Sequence, residues 1–292
     1  MTKIRSRSSG SIQDRRGQGG GMGAGGGFPI PIKAGGGLVG IIVLLATIFL
    51  PKLLGGTSSS ANVSPESQSN ASDEDVACDT EIEQIVCGAV DDVQPYWTEQ
   101  FPESFGTQYE PADTVFFSGF TNTGCGQASS EVGPFYCPLD KLIYFDLDFL
   151  LQLLDQFGAT GDLAAQYIVA HEYGHHVQNV LGRNAQVRQA QESDPDRANE
   201  YSIALELQAD CLAGAWARDA ADAGQFDNAQ EVEEALNAAA AVGDDRIQQQ
   251  TQGQVNPETW THGSSEQRVQ WFRQGFDSAD PATCEGTFEG LL

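Results

Sequence analysis

The chain holds only four histidines, and three fall in one run, His171-Glu172-Tyr173-Gly174-His175-His176. His171 and His175 are four apart. On a helix that spacing puts both rings on one face, about one turn from each other. Two imidazole nitrogens so placed can hold one zinc ion. Glu172 then lies beside the metal, where a carboxylate can take a proton from a bound water. The same histidines would also suit the core of a buried helix, so the reading depends on its surroundings. His176 points roughly 100° away around the helix, which suits a supporting or surface role rather than the same metal.

The flanking residues argue for that helix. Asp162 follows Gly161 and can cap a start. Leu163, Tyr167, Ala170, Gly174, Val177 and Leu181 recur at spacings of four and three, and Gly182 closes the run. A bulky side chain at position 174 would crowd whatever backs the site. A catalytic zinc takes three protein ligands and keeps one position for water, so another element must supply the third. Glu206 and Asp210 lie four apart in a helical segment, 201–210, and share a face. Taken alone, that pair is also what a solvated acidic face looks like. The fourth histidine, His262, sits in a loop leading into a helix that carries Val269, Trp271, Phe272 and Phe276. From there His262 and Arg268 can reach the open side of the zinc and hydrogen-bond an oxyanion. They can equally be a histidine at a helix start and a surface arginine; spacing does not choose.

The motifs together resemble the bacterial membrane-anchored neutral zinc metallopeptidase family. The matching pieces are Thr123-Gly124-Cys125-Gly126, 133–138, 171–176, 206–211, Gly243-Asp244-Asp245-Arg246 and Thr261-His262-Gly263, in the family's order. Even Asp14-Arg15-Arg16 before a glycine-rich run is similar. Glu206 and Asp210 look like the E-x-x-x-D of thermolysin-like gluzincins. The resemblance implies a zinc peptidase with His171, His175 and Glu206 as ligands and Glu172 as general base. It further implies that Asp210 orients a zinc-bound histidine by accepting a hydrogen bond from its far nitrogen. It supplies no substrate and no role for Asp244, Asp245 and Arg246, which read as a capped helix end after the alanine-rich segment 232–242.

The elements that must position these residues read as follows. A first helix spans about 81–100, with Ile82, Ile85, Val86, Val90, Val93 and Trp97 inward. Val115-Phe116-Phe117 and Leu142-Ile143-Tyr144-Phe145 read as strands, separated by turn-rich stretches. The zinc helix, the Glu206 helix, an alanine-rich helix and a terminal helix follow. The fold class is α+β: a zincin-like domain, mostly helical with a small sheet, behind one N-terminal transmembrane helix. An exposed strand edge within 115–145 would hold an extended peptide.

Residues 1–33 are basic and rich in glycine and serine, and read as a disordered cytoplasmic tail. An uncharged stretch with an apolar heart from Leu38 to Leu50 makes 34–54 a transmembrane anchor, and 55–75 a flexible linker to one domain at 76–292. Positive charge before the span predicts the N-terminus inside and the domain outside. A cleaved signal ending near Ala61 is the competing reading, and it too exports the domain.

The whole chain carries a net charge of −26, and beyond residue 54 only 8 basic residues face 40 acidic ones. Such a surface repels nucleic acid; a peptide or unfolded protein as the partner of the site is what the resemblance to a peptidase family implies. All six cysteines lie beyond the apolar stretch, an even count that suits disulfides outside the cytoplasm. Cys125 and Cys137 flank a hairpin. The family resemblance favours Cys211 with Cys284, leaving Cys78 with Cys87, a pair that requires Cys78 to lie where the chain folds back ahead of the first helix. With no close C-x-x-C pair, cysteine ligation of zinc is disfavoured. The rival to an enzyme is a membrane-tethered scaffold with a structural zinc, for which Cys211 beside Asp210 would be the suspect fourth ligand.

Overall fold

The computed structural model describes residues 2–17, 75–158, 161–226 and 229–292. Thr80 starts the first helix, α1 (Glu81–Phe105): its side chain accepts from the Glu83 N–H while the Glu83 carboxylate reaches back to the Thr80 N–H. The stripe Val86, Val90, Val93, Trp97 and Phe101 is buried. The helix runs five residues past Gln100, through Pro102, until Gly106 ends it with φ 69°.

The strands are β1 (Ser8–Ser9), β2 (Ile12–Asp14), β3 (Val76–Ala77), β4 (Thr114–Phe116), β5 (Phe120–Thr123), β6 (Gly126–Ser129), β7 (Phe135–Cys137) and β8 (Leu142–Phe145). The main sheet has the order β2-β4-β8-β7, parallel except for the β7–β8 pair. Val115 faces Gln13 on one side and Tyr144 on the other, so β4 has no free edge. The expected peptide-holding edge is therefore not on β4; in this sheet the open edges belong to β7 and β2. β5 and β6 form a separate hairpin, tied to β7 by the Cys125–Cys137 disulfide.

The N-terminal residues depart from expectation. Residues 2–17 are not a detached disordered tail: β2 adds to the sheet in parallel with β4, and β1 pairs antiparallel with β3. Composition misled because glycine and serine dominate, while the few apolar side chains, Ile4 and Ile12, are buried in the domain core. The expected anchor at 34–54 and nearly all of the linker at 55–75 lie outside the described residues. No helix among the described residues is long and apolar enough to cross a membrane.

The helices that follow are α2 (Leu147–Phe157), α3 (Asp162–Val180), α4 (Arg183–Ser193), α5 (Ala198–Asp222), α6 (Ala229–Ala241), α7 (Asp244–Gln252) and α8 (Ser265–Ser278). The fold is thus α+β and mostly helical. Gly161, not Asp162, is the cap of α3; Asp162 is the first helical residue, and its carboxylate meets Arg5 at 2.7 Å. Asp244 and Asp245 do not end the alanine-rich helix; they open α7. All three expected disulfides are formed. Cys78 sits on the extended chain just before Thr80, which brings its Cα within 6.6 Å of that of Cys87. Cys211–Cys284 ties α5 to the chain end across a separation of 73 residues.

Candidate metal centre

Helix α3 crosses α5 where Gly174 meets Ala209. A Cβ on Gly174 would lie 3.0 Å from both the Cα and the carbonyl oxygen of Ala209, so the missing side chain permits this approach. The crossing sets Glu206 opposite the two histidines. His171 Nε2 lies 3.3 Å from Glu206 Oε2, and His175 Nε2 lies 3.6 Å from Glu206 Oε1. One donor atom from each of the three falls within 4.8 Å of the others. Ligands about 2.0–2.1 Å from a tetrahedral zinc stand about 3.4 Å apart, so the spacing is of the right size.

The bonding around the triad also fits a metal. Each histidine commits its far nitrogen outward: His171 Nδ1 to Asp210 Oδ1 at 2.9 Å, and His175 Nδ1 to Gln178 Oε1 at 2.9 Å. Gln178 is itself fixed by donating to the Leu205 carbonyl at 2.6 Å. Both Nε2 atoms are thereby turned towards Glu206. Among the described residues His175 Nε2 is buried with no hydrogen-bond partner, as a nitrogen reserved for a cation would be.

Asp210 is a buried hub. Its two oxygens accept from Arg268 Nε at 2.7 Å and Nη2 at 2.9 Å, and one also accepts from the Tyr167 hydroxyl. Burial alone would raise the Asp210 pKa; the Arg268 guanidinium and His171 outweigh it and hold the carboxylate ionised. Burial opposes a charge on His171 too, but Asp210 and Glu206 bring its pKa up to about 9. Glu206 lies well below the usual carboxylate range because His175, His171 and His262 overcome its burial. Glu172 is buried, and that desolvation pushes its pKa up against the pull of His175 and His171. Its carboxylate forms no hydrogen bond or ion pair with the described residues. It borders two cavities, both also lined by Glu206, the first reaching His171 and the second His175.

His262 lines the first cavity together with Glu172 and Glu206. Asp244 builds its loop: one carboxylate oxygen accepts the backbone N–H groups of Thr261, His262 and Gly263 at 2.7, 2.7 and 3.0 Å, and the other lies 3.1 Å from His262 Nδ1. Asp245 holds the start of α8, accepting from the Ser265 N–H and hydroxyl. Arg268 is not a surface residue: it is buried at the edge of the first cavity, where Asp210 and the Val242 carbonyl accept from its guanidinium. His176 is buried, not at the surface: its Nε2–H donates to the Glu110 carbonyl and its Nδ1 meets the Tyr136 hydroxyl, so it fastens α3 to its neighbours.

Three residues of the site escaped sequence reasoning. Tyr167 and Gln178 carried a usable signal, lying four before His171 and three after His175 on the same helix. Asp244 carried none in its spacing, because its partners, three backbone N–H groups and His262 Nδ1, lie 17 to 19 positions away.

Over residues 1–288 the chain matches the model of the family described as "Putative neutral zinc metallopeptidase". It is 42% identical over 281 residues to an uncharacterized protein of Escherichia coli strain K12, YpfJ, covering 95% of this chain and 96% of that one. It is 52% identical over 179 residues to an uncharacterized protein of Mycobacterium tuberculosis strain H37Rv, covering 58% of this chain and 60% of that one. No solved structure matches it.

Proposed function

Because the chain belongs to the neutral zinc metallopeptidase family, we propose that it is a zinc-dependent endopeptidase with Glu172 as its general base. The observation that carries this reading is the convergence of two imidazole Nε2 atoms and the Glu206 carboxylate beside a buried, unpartnered Glu172. His171, His175 and Glu206 would hold the ion. Bound there, zinc would lower the pKa of its water towards about 7 and polarise the scissile carbonyl. Glu172, with its raised pKa, takes the proton of the attacking water and returns it to the leaving amine. Asp244 fixes the His262 ring through Nδ1, and only in the imidazolium form, with both ring nitrogens protonated, would Nε2 donate to the oxyanion. Arg268 acts through Asp210, as a positioning residue for His171. The first cavity is walled by Val132, Pro134, Leu153, Ile168, Val242 and Ile247, which suits an apolar side chain next to the scissile bond. The substrate is then a peptide or unfolded protein. Three disulfides favour work outside the cytoplasm.

A scaffold with a closed structural zinc would need a fourth protein ligand. Cys211 is consumed by its disulfide with Cys284, and the described residues offer a group of three donors there. The test is zinc per chain, and cleavage of an unfolded protein mixture with the products sequenced, for wild type and Glu172→Gln. The full chain is required, since a piece starting at residue 76 would lack β1 and β2. One zinc in both, with cleavage by wild type alone and lost on chelation, is the expected result. Equal cleavage by Glu172→Gln would remove the assigned base, and no zinc in the folded protein would remove the site.

A further inference from the structure

Residues 2–17 touch the zinc helix itself, α1, the turn after α5, and strands β3 and β4. Gln166, fully buried on α3, donates its amide to the Thr2 hydroxyl at 2.9 Å and to the Ile4 carbonyl at 2.7 Å. Arg5 pairs with Asp162 at the first turn of the same helix. The Lys3 N–H and ammonium donate to the carbonyls of Gln225 and Gly224 beyond the end of α5. Against α1, the Ser6 N–H donates to the Gln84 carbonyl and the Ser9 hydroxyl to Asp91 at 2.5 Å. The backbone lies so close to α1 that a Cβ on Gly88 would stand 2.5 Å from the Arg5 Cα. Further along, β2 continues the sheet beside β4, and Arg16 pairs with Glu83 over the ring of Phe116.

Such contacts belong to one folded body. Removing residues 2–17 would take both acceptors from the Gln166 amide, strip β4 of one of its two partners and uncover a groove at Gly88. We infer that residues 2–17 are a built-in strap of the metallopeptidase domain, and that the N-terminus and the domain lie on the same side of any membrane. A chain that crossed a bilayer once between residues 17 and 75 would hold β1 and β2 away from β3 and β4 by the whole hydrocarbon thickness, about 30 Å. Strap docking and single-pass anchoring with the N-terminus inside exclude each other. The inference rests on packing and pairing alone and does not depend on the peptidase reading.

The test uses the full chain expressed in bacterial cells. Ser8→Cys and Glu289→Cys, both at exposed positions, are made one at a time and treated with a membrane-impermeant maleimide in intact cells, then again after detergent. Same-side placement predicts that the two label together, both before detergent or both only after it. Labelling of one but not the other in intact cells overturns the inference. In a second arm, Ser8→Cys is combined with Ala77→Cys, its direct cross-strand partner, and the purified protein is oxidised. A disulfide joining the two peptides is expected. Its absence from protein whose three native disulfides are intact would show that the strap is not docked.

Discussion

At the scale of single residues, Asp210 explains more of the site than its spacing announced. It holds the His171 ring, the Tyr167 hydroxyl and the Nε–Nη2 edge of the Arg268 guanidinium. A buried charge pair contributes little net stability when intact, but removing one member strands the other. Arg268→Met should therefore cost about 3–5 kcal/mol in a urea melt. Zinc affinity, measured by chelator competition, should fall about 10–100-fold, since the carboxylate that orients His171 loses its fixed position. Unchanged zinc affinity in the destabilised variant would make Arg268 a structural residue only. The pairing of His171 with His175 was legible because helical spacing encodes which side chains share a face; Glu206 and Asp210 were readable only through the family resemblance, since their spacing suits a solvated acidic face as well. The partner of Arg268 was not legible, since 58 residues separate it from Asp210 and only the packing of α8 on α5 brings them together.

At the scale of elements, the centre exists because α3 and α5 approach at Gly174. The glycine was readable as a point where bulk would crowd the backing of the site; that Ala209 does the backing was not. Gly174→Val places its Cβ within 3.0 Å of the Ala209 backbone, which cannot yield as a flexible side chain would. Overpacking of this kind costs about 1–3 kcal/mol, and the strain falls on the pair of helices that carry all three ligands. We expect a lower melting temperature together with less than one zinc per chain. A variant that melts and binds as wild type does would mean that the crossing is not what sets the ligand spacing. Strands β4 and β8 were readable as runs of β-branched and aromatic residues. β2 was not, because Ile12-Gln13-Asp14 is three residues in a polar setting and is made a strand by its partner, β4.

At the scale of the molecule, the N-terminus is held by an ionic lock whose response to pH follows from its charges. Arg16 lies between Asp14 and Glu83, above the ring of Phe116. Burial would raise the Glu83 pKa, but the backbone N–H of Thr80 and the Arg16 guanidinium outweigh it and bring the carboxyl down to about 2, against an ordinary 4.5. Asp14 is lowered as well, mainly by Arg16 acting against its burial. A carboxyl with a depressed folded pKa binds its proton more readily in the unfolded chain. Its contribution is whole above about 4.5 and is lost as pH falls towards 2. Hydrogen exchange at the amides of β2 should therefore lose protection through that window. Other groups titrate there too, so the decisive comparison is with Glu83→Gln, which can still cap α1 but cannot change charge. Its β2 amides should be less protected at neutral pH and should show a shallower decline on acidification. Equal slopes in the two proteins would mean that the strap is held by its strands and its burial, with the Arg16 cluster contributing nothing that protons can remove.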